Sequence, residues 1–379
     1  MTDVNPRLVI DVDAIANNVA VLRARTGTAL MAVVKGNAYG HGLIPAARAA
    51  LAGGADALGV AAMAEALRLR EAFGKSRIFT WLYAPGADFR SASRADLELG
   101  ASAPWAIDQI ERAATDTGKI VRVHLEADTG LGRAGAMPAD WLALVNAAAA
   151  AAARGTISVV GVWSHFACAD SPGDPTIAVQ REALIHAAAK ARANGLTEFS
   201  VHLANSAAAL NDRRSTFDMV RTGVAIYGLD PLGGDPRLLG LHPAMRVEVP
   251  IALVKRVPAG TGVSYGHTYV TARECTLALV PVGYADGIPR SASGVAPVSI
   301  NGRRYTISGR VCMDQFVVDV GDDPVQAGDV AVLWADGSDA TPTVQNWADA
   351  TGTIHYELVT GIGGRFVHHY IGGEIVARD

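Results

Sequence analysis

The sequence predicts an α/β chain in which a (β/α)8 barrel of the TIM type is followed by a mainly antiparallel β domain. Its 379 residues exceed one typical domain and suit a barrel of about 230 residues with a smaller partner. Between residues 30 and 228, short β-branched runs alternate with longer helical stretches, which indicates a parallel sheet. Beyond residue 240, strand-like runs follow one another with few long helical stretches between them, which indicates antiparallel β-structure.

The predicted barrel contains several clear strands and one strongly alanine-rich stretch. Seven consecutive alanines at residues 147–153 precede Arg154 and Gly155, a pattern typical of a close-packed helix with a basic last turn and a glycine cap. The alternative interpretation is a low-complexity segment. The clearest predicted barrel strands are residues 31–35, 121–126, 159–163 and 200–203.

The β domain is predicted to begin after a turn-rich connector at residues 230–234. We therefore place the barrel at residues 11–237 and the β domain at residues 238–379. Asn301-Gly302 lies between two strand-like runs and is the strongest hairpin signal in the chain. The run at residues 8–12 precedes the first barrel strand, and its pattern alone does not place it. The predicted strands of the β domain are residues 245–257, 276–282, 298–307, 315–320 and 330–334.

The composition indicates a small-molecule partner and excludes several other classes of protein. Half of the residues are hydrophobic and 18% are charged, so a large core can form. The net charge of -4 offers no basic field for nucleic acid. Because no apolar run is long enough to span a bilayer and residues 1–15 do not resemble a leader, we expect a soluble cytoplasmic protein without a membrane partner. Cys168, Cys275 and Cys312 are too scattered for a disulfide framework or a metal site.

One lysine is a candidate nucleophile. The apolar run at residues 32–34 ends on Lys35, and the chain then enters a loop that contains Tyr39 and three glycines. A lysine at the carboxyl end of a buried strand is partly desolvated, which lowers its pKa and frees the amine for Schiff-base chemistry. The alternative is an ordinary solvated lysine at the rim of the barrel.

Other polar residues also follow predicted barrel strands, which is where the active sites of such barrels lie. His202 lies within the last such strand but one, and it is either a functional group or a core histidine bonded to a carbonyl. The residues that follow a predicted strand are Lys35, Arg133, His165, Asn205, Ser206 and Arg221.

A second group of residues is suited to phosphate. Phosphate binding needs backbone donors and hydroxyls that approach closely without adding bulk, and Ser206, Gly223 and Val224 supply them. The pair Asn205-Ser206 precedes an alanine-rich stretch and also fits a helix N-cap. The same residue pair can cap a helix and also contact a phosphate.

The segment at residues 32–42, with Lys35 and Tyr39, resembles the pyridoxal-phosphate segment of the alanine racemases, the barrel-type group of such enzymes. The resemblance runs from about Leu8 to Tyr370, with several separate motifs in the family's order. It implies that pyridoxal 5'-phosphate is bound through Lys35 and that Tyr39 contacts the phosphate. It also implies that the segment around residues 8–12 associates with the β domain.

Residues 220–228 resemble the family's pyridine-and-phosphate motif, in which the residue matching Arg221 faces the pyridine nitrogen. A guanidinium keeps its proton, so it leaves that nitrogen uncharged and favours α-proton exchange over the reactions that a charged ring supports. In isolation, Arg221 would be interpreted as a surface salt-bridge arginine. Tyr356 matches a tyrosine that reaches the phosphate from the second domain.

The resemblance also implies a second catalytic base on the β domain. Residues 262–268 resemble the segment of that base, which is Tyr265 here and which acts on the barrel of the other subunit of a homodimer. Because a free tyrosine has a pKa of about 10, it acts as a base only where positive charge stabilises the phenolate. In the family, the residues matching His165 and Arg221 supply that network. The alternative is an ordinary hydrogen-bonded tyrosine of the β domain.

Two more segments imply substrate contacts. Residues 311–315 resemble the segment whose methionine amide receives the substrate carboxylate, and Met313 is the matching residue, again contributed across the interface. Residues 283–287, with Tyr284 and the nearby Arg290, resemble the substrate access channel, and Asp170 is a candidate partner.

Three departures from the family pattern carry expectations. Many members have a lysine at the position of Glu126, and its carbamylation orients the arginine matching Arg133. Here a carboxylate is encoded, and we expect Glu126 to pair with Arg133, which would contact the substrate carboxylate and the cofactor phenolic oxygen. Gly36 replaces a common alanine and adds backbone freedom beside Lys35. Residues 364–368 replace a proline-containing arginine motif, which leaves the role of the terminal segment open.

The leading functional hypothesis is a racemase that interconverts L- and D-alanine and supplies D-alanine for bacterial wall synthesis. One alternative is an amino-acid decarboxylase on the same two-domain plan, which Arg221 disfavours. Another is a noncatalytic pyridoxal-phosphate carrier, in which Tyr265 and Met313 would have no purpose. Serine differs from alanine by one hydroxyl, which apolar pockets reject weakly, so the sequence leaves serine open as a second substrate.

Overall fold

A closed, parallel, eight-stranded barrel forms the first part of the chain, as predicted. The computed structural model describes residues 5–373. Each barrel strand pairs with the next one in sequence, and the last pairs with the first. In chain order the strands are β1 (Arg7–Asp11), which lies outside the barrel, and then β2 (Ala29–Val33), β3 (Ala57–Ala62), β4 (Ile78–Leu82), β5 (Glu98–Ala101), β6 (Val121–Glu126), β7 (Ile157–Trp163), β8 (Ser200–His202) and β9 (Met219–Thr222).

A helix lies between each barrel strand and the next, and another precedes the first barrel strand. The first, Val12–Thr26, begins after Asp11, whose side chain accepts the N–H of Ala14 at 3.0 Å, and it ends at Gly27 with a φ of 67°. The alanine run lies within the helix Trp141–Ala153, so the helical prediction is confirmed. The remaining helices of this part are Leu43–Ala52, Met63–Ala72, Phe89–Arg94, Pro104–Thr117, Pro175–Ala193 and Ser206–Asn211.

Two predictions at the carboxyl end of the barrel need correction. The first barrel strand ends at Val33 and not at Lys35, because the chain turns into a left-handed loop after Val34. The prediction that Arg221 follows a strand is also wrong. Arg221 lies inside β9, where side chains alternate between the two faces, and its own side chain is buried within the barrel.

The second part of the chain is mainly antiparallel β-structure, as predicted. Its strands are β10 (Met245–Pro250), β11 (Leu253–Val257), β12 (Gly262–Val263), β13 (Tyr269–Val270), β14 (Cys275–Val280), β15 (Pro297–Ile300), β16 (Arg303–Thr306), β17 (Phe316–Gly321), β18 (Val330–Trp334) and β19 (Val367–Ile371). A six-stranded sheet has the order β16-β15-β18-β10-β1-β19, and a three-stranded sheet has the order β11-β14-β17. Two helices, Val344–Thr351 and His355–Gly361, precede the last strand.

One long predicted strand is in fact two. Residues 245–257 divide into β10 and β11, which belong to different sheets. The division follows Pro250, which has no N–H to continue a ladder of hydrogen bonds. The hairpin predicted at Asn301-Gly302 is confirmed, since these residues have φ angles of 49° and 73° and join β15 to β16.

The N-terminal strand lies in the sheet of the β domain. β1 pairs antiparallel with β10 and parallel with β19, so both ends of the described chain meet in one sheet. The largest apolar cluster is continuous through both parts and includes Leu8, Tyr227 and Val247. The limits at residues 237 and 238 stay a prediction, and residues 1–4 and 374–379 lie outside the described residues. Within residues 5–373, no helix combines the length and apolarity needed to cross a membrane.

Candidate active site

The loop that follows β2 has an unusual left-handed backbone. Gly36, Asn37, Ala38 and Tyr39 have φ angles of 63°, 52°, 56° and 53°. For residues other than glycine, this conformation costs about 1–2 kcal/mol each, so neighbouring groups must hold the loop in place. Gly36 meets the requirement without that cost, and Lys35 is therefore followed at once by a sharp, defined turn.

Hydrogen bonds from two side chains hold the start of this loop. The carboxylate of Glu65 accepts the N–H of Asn37 at 2.8 Å and the N–H of Gly36 at 3.4 Å. The side chain of Asn37 in turn accepts the N–H of Leu43 at 2.9 Å. These contacts offset part of the backbone strain and fix the direction in which the loop leaves Lys35.

The C-terminal segment supports the other end of the loop. His368 Nε2 lies 2.8 Å from the carbonyl oxygen of Gly40 and donates to it. A Cβ on Gly40 would lie 2.1 Å from the carbonyl oxygen of Val359, so only glycine permits this close approach. The segment whose role the sequence left open therefore packs against the loop that carries the candidate nucleophile.

The amine of Lys35 lies in a partly buried, positively charged environment. Burial lowers its pKa, and the charges of Arg133 and Arg221 lower it further, while Glu65 acts in the opposite direction. The Nζ atom is 6.0 Å from the centre of the Trp81 ring. A lysine in these surroundings gives up its proton more readily than one in water, as nucleophilic or basic chemistry requires.

Arg221 is buried in the barrel and is not a surface salt-bridge residue. Its side chain donates to the carbonyl of Ser164 at 2.7 Å and to His202 Nδ1 at 3.0 Å, and its guanidinium lies 4.8 Å from the Trp163 ring. Burial lowers its pKa to about 10, which still leaves it charged at neutral pH. Its Nε–H makes no hydrogen bond to any described residue and remains for a ligand.

His165 completes this basic group. Its Nδ1 lies 3.3 Å from Arg221 Nη2 and therefore accepts the hydrogen bond. Burial and then the charges of Arg221, Arg133 and Lys35 lower its pKa to about 3, so the ring is neutral. The structure thus brings Lys35, His165 and Arg221 to one end of the barrel.

A small set of donors lies beside them. Ser206 Oγ accepts the N–H of Gly223 at 3.0 Å and of Ala225 at 3.3 Å, which leaves its hydroxyl proton to donate. Asn205 caps the following helix, since its side chain accepts the N–H of Ala208 at 3.0 Å. Val224 is buried at the start of the short turn Val224–Tyr227.

Two tyrosines close this donor set. Their rings, Tyr39 and Tyr356, have centroids 6.3 Å apart, and neither hydroxyl makes a hydrogen bond within residues 5–373. Burial raises the pKa of both hydroxyls, so they are protonated donors at neutral pH. A Cβ on Gly223 would lie 2.3 Å from the Tyr39 hydroxyl oxygen, so this position must be glycine for the tyrosine to reach it.

The expected pair between Glu126 and Arg133 is absent from the structure. Glu126 is buried and accepts instead from the hydroxyl of Ser102 at 2.7 Å, and no ion pair joins it to Arg133 among the described residues. The carboxylate of Asp128 accepts hydrogen bonds from the N–H groups of residues 130–132, which form a tight loop. The Arg133 side chain that follows this loop is exposed. Burial raises the pKa of Glu126, whereas the Ser102 bond and the charges of Arg221 and Arg133 lower it.

The residues predicted on the β domain form an exposed patch, made of Tyr265, Tyr284 and Met313, which are 69%, 44% and 54% exposed. Their segments touch, since the N–H of Ala285 donates to Met313 O at 3.0 Å and Ser264 Oγ donates to Arg310 O at 2.6 Å. No hydrogen bond or ring contact joins this patch to Lys35 within the described chain. Large apolar groups exposed together mark a surface that meets another molecule.

The access-channel residues also stay apart within one chain. Arg290 and Asp170 are both exposed and form no ion pair with each other in the part of the chain that is described. Burial raises the pKa of Tyr356, and the nearby carboxylate of Asp170 raises it further.

An ion pair between the buried Asp286 and the half-exposed Arg365 holds the Met313 segment. Asp286 accepts from Arg365 Nε at 2.9 Å and from the N–H of Gly283 at 3.0 Å, and Arg365 also lies 3.4 Å from Asp314. Gly364, which precedes Arg365, has a φ of 61°, a left-handed conformation that favours glycine.

Two family models match the chain. The alanine racemase N-terminal domain matches residues 10–231, and the alanine racemase C-terminal domain matches residues 244–370. The chain belongs to the alanine racemase family. The racemase of Frankia casuarinae is 54% identical over 372 residues, which cover 97% of each chain.

Solved alanine racemases have the same fold. The enzyme from D-cycloserine-producing Streptomyces lavendulae has a TM-score of 0.97 and 51% identity, with 100% of both chains covered. The alanine racemase of Bartonella henselae, solved with covalently bound pyridoxal phosphate, has a TM-score of 0.86 and 27% identity, covering 97% of this chain and 100% of its own.

Several residues around this alanine racemase site were not predicted from the sequence. Glu65, which holds the Lys35 loop, and Ser102, which holds Glu126, both come just after barrel strands. The rule that identified Lys35 and His165 applies to them equally. Trp163, which stacks on Arg221, ends its strand in the same way.

Proposed function

We propose that the chain interconverts L-alanine and D-alanine with pyridoxal 5'-phosphate as cofactor and with Lys35 and Tyr265 as the two proton carriers. The observation that carries the proposal is the buried, charged Arg221, whose hydrogen-bond partners are neutral histidines and backbone carbonyls. No carboxylate of the described residues bonds to it. A guanidinium here disfavours protonation of a ring nitrogen beside it, which suits proton exchange and disfavours decarboxylation.

The residues of the site fit the cofactor. Ser206, Tyr39 and Tyr356 offer hydroxyl protons that have no acceptor among the described residues, and Gly223 leaves room for close approach. We assign the phosphate to these groups together with Val224 and Asn205. Arg221 Nε–H is assigned to the pyridine nitrogen, and Lys35 to the covalent link.

When bound, the cofactor withdraws electrons from the α-carbon of the attached amino acid and so makes its α-proton acidic. Lys35 Nζ, whose pKa is lowered by burial and by two arginines, would be released when the substrate amine takes over the covalent link, and it would then take or return that proton on one face of the α-carbon. Tyr265 Oη would take or return the proton on the opposite face of the α-carbon. The charges of Arg221 and Arg133 favour the phenolate form of a tyrosine placed beside them.

Tyr265 comes from a second copy of the chain in this proposal. The exposed patch of Tyr265, Tyr284 and Met313 is the surface that would cover the barrel of the partner, because these side chains are largely exposed and none of them bonds to Lys35 of the same chain among the described residues. Met313 N–H and Arg133 would receive the substrate carboxylate. Tyr284, Arg290 and Asp170 would line the access channel between the two copies.

The proposal is tested by incubating the holoenzyme with L-alanine in heavy water. We expect deuterium at the α-carbon of the D-alanine formed and no release of carbon dioxide. Carbon dioxide release without inversion would indicate the decarboxylase, and neither reaction would indicate a carrier. Parallel assays with L-serine measure the substrate breadth that the sequence leaves open. The cytoplasmic location stays a prediction.

Replacing Gly223 with alanine is expected to weaken cofactor binding. The new Cβ would lie 2.3 Å from the Tyr39 hydroxyl oxygen and would displace that donor. Losing one hydrogen bond to a charged group weakens affinity about tenfold to a hundredfold. Titration of the cofactor-free protein with pyridoxal phosphate measures this. Gly74→Ala is the matched control, because its Cβ would meet no atom within 4 Å. Equal affinity in both variants would contradict the assignment.

Replacing Glu126 with glutamine is expected to lower kcat/KM about tenfold while cofactor affinity is kept. The amide oxygen can still accept from Ser102, so the change keeps that bond and removes the carboxyl group. Arg221 and Arg133 both interact electrostatically with that carboxyl group. Steady-state kinetics and a cofactor titration check both halves of the prediction. Native turnover in the variant would show that Glu126 does not support catalysis.

A further inference from the structure

A line of hydrogen bonds crosses the barrel interior from Arg221 to the opposite end. Arg221 Nη1 lies 3.0 Å from His202 Nδ1, and His202 Nε2 lies 2.9 Å from His124 Nδ1. His124 Nε2 lies 2.9 Å from a carboxylate oxygen of Glu98. Arg221, His202, His124 and Glu98 are all at most 5% exposed. This line joins the candidate site to a buried carboxylate at the start of β5.

The direction of every bond in the line is determined. Arginine only donates, so His202 Nδ1 must accept, and a neutral ring then carries its proton on Nε2. That proton is donated to His124 Nδ1, which leaves the His124 proton on Nε2 to donate to Glu98. Burial is the main cause of the lowered pKa of both histidines, and it keeps both rings neutral. The donors therefore all point from Arg221 toward Glu98.

The barrel makes specific room for this line. A Cβ on Gly161 would lie 1.9 Å from His124 Nδ1, and the pairing of β6 with β7 shifts register between Val123 and His124. Glu98 is held ionised, because bonds from His124 and Arg77 outweigh the effect of burial on its pKa. Arg77 Nε and Arg122 Nε lie 2.8 Å and 3.3 Å from one of its oxygens.

We propose that Glu98 is a positioning residue of the site, which orients Arg221 through His124 and His202. The anion at the end of the line makes each imidazole a better acceptor, and the effect accumulates along the chain of bonds. Arg221 is thereby held in the plane that leaves its Nε–H for the ligand. The role in catalysis rests on the proposed function, whereas the order of the hydrogen bonds does not.

The isosteric variant Glu98→Gln removes the anion at the end of the line without changing the shape of the side chain. One oxygen of Glu98 accepts from both His124 Nε2 and Arg77 Nη2, and the other accepts from Arg77 Nε. An amide has one oxygen and one NH2 group, so in either orientation its NH2 group faces a donor of Arg77, and in one orientation it also faces His124. Reversing the histidines to relieve that contact would point His202 Nδ1–H at the donor of Arg221. Glu111→Gln is the matched control, because Glu111 also pairs with an arginine, Arg154, and lies outside the line.

The test combines imidazole 15N spectroscopy of the holoenzyme with kinetics. We expect His124 and His202, assigned by single replacement, to be neutral with the proton on Nε2 in the native protein. In Glu98→Gln we expect altered 15N signals of both rings and kcat/KM lowered about tenfold, with Glu111→Gln unchanged in both. A proton on Nδ1 of either native ring would overturn the proposal, whether or not the variant folds. Native kinetics and unchanged signals in folded Glu98→Gln would overturn it equally. Absence of racemisation in the native protein would instead refute the proposed function.

Discussion

Replacing Lys35 with alanine is expected to abolish both covalent cofactor attachment and racemisation. Lys35 is the only lysine that the structure places beside Arg221 and His165 among the described residues, and its lowered pKa suits both roles. Removing a proton carrier that is also the covalent anchor is expected to cost about 10⁴-fold in rate. Turnover and the mass of borohydride-treated protein measure the two losses.

The control for this variant is Lys75→Ala, which removes an exposed lysine from the barrel surface. We expect native turnover and native labelling in the control. In the native protein, borohydride should fix the cofactor on the peptide that contains Lys35. If the label persists in Lys35→Ala, or maps to another lysine in the native protein, Lys35 is not the residue that holds the cofactor covalently.

Replacing Tyr265 with phenylalanine is expected to confine exchange of the α-proton to the face of the substrate that Lys35 serves. The change removes one hydroxyl from an exposed ring and leaves Lys35 untouched. Interconversion should fall about 10²- to 10⁴-fold, because one of two general acid–base groups is lost. One enantiomer of alanine should still exchange its α-proton with heavy water, since Lys35 remains on its face, and the other should not.

Tyr305→Phe is the matched control for Tyr265→Phe. Tyr305 is another tyrosine of the β domain, and its hydroxyl donates to Asp323 at 2.6 Å and not to any residue of the exposed patch. We expect this variant to racemise as the native protein does. Equal exchange of both enantiomers in Tyr265→Phe would show that another group serves the second face.

The barrel and the position of the nucleophile could be predicted because both depend on local pattern. An apolar run that ends in a lysine marks a strand end, and strand ends of a barrel meet at one face. The same reasoning reached His165 and Ser206 but stopped before Glu65 and Ser102, which satisfy the rule as well. The exposed Tyr265 required the family resemblance, since its neighbours in the chain indicate nothing about a partner.

Features that depend on contacts between distant strands could not be predicted. Glu98 and His202 stand far apart in sequence, and only the closed barrel with Gly161 brings them onto one line. The expected ion pair of Glu126 with Arg133 does not form among the described residues, where Glu126 accepts from Ser102 and Asp128 accepts from N–H groups of the intervening loop. The interpretation of residues 245–257 as one strand overlooked Pro250, where the chain leaves one sheet for the other.

Mixing two inactive variants tests the central claim most directly. Chains with Lys35→Ala and chains with Tyr265→Ala are unfolded together, refolded with cofactor and assayed for racemisation. If each site takes Lys35 from one chain and Tyr265 from another, mixed dimers contain one intact site, and about one quarter of native activity should return. Activity that stays at the level of the separate variants would contradict a site shared between two copies.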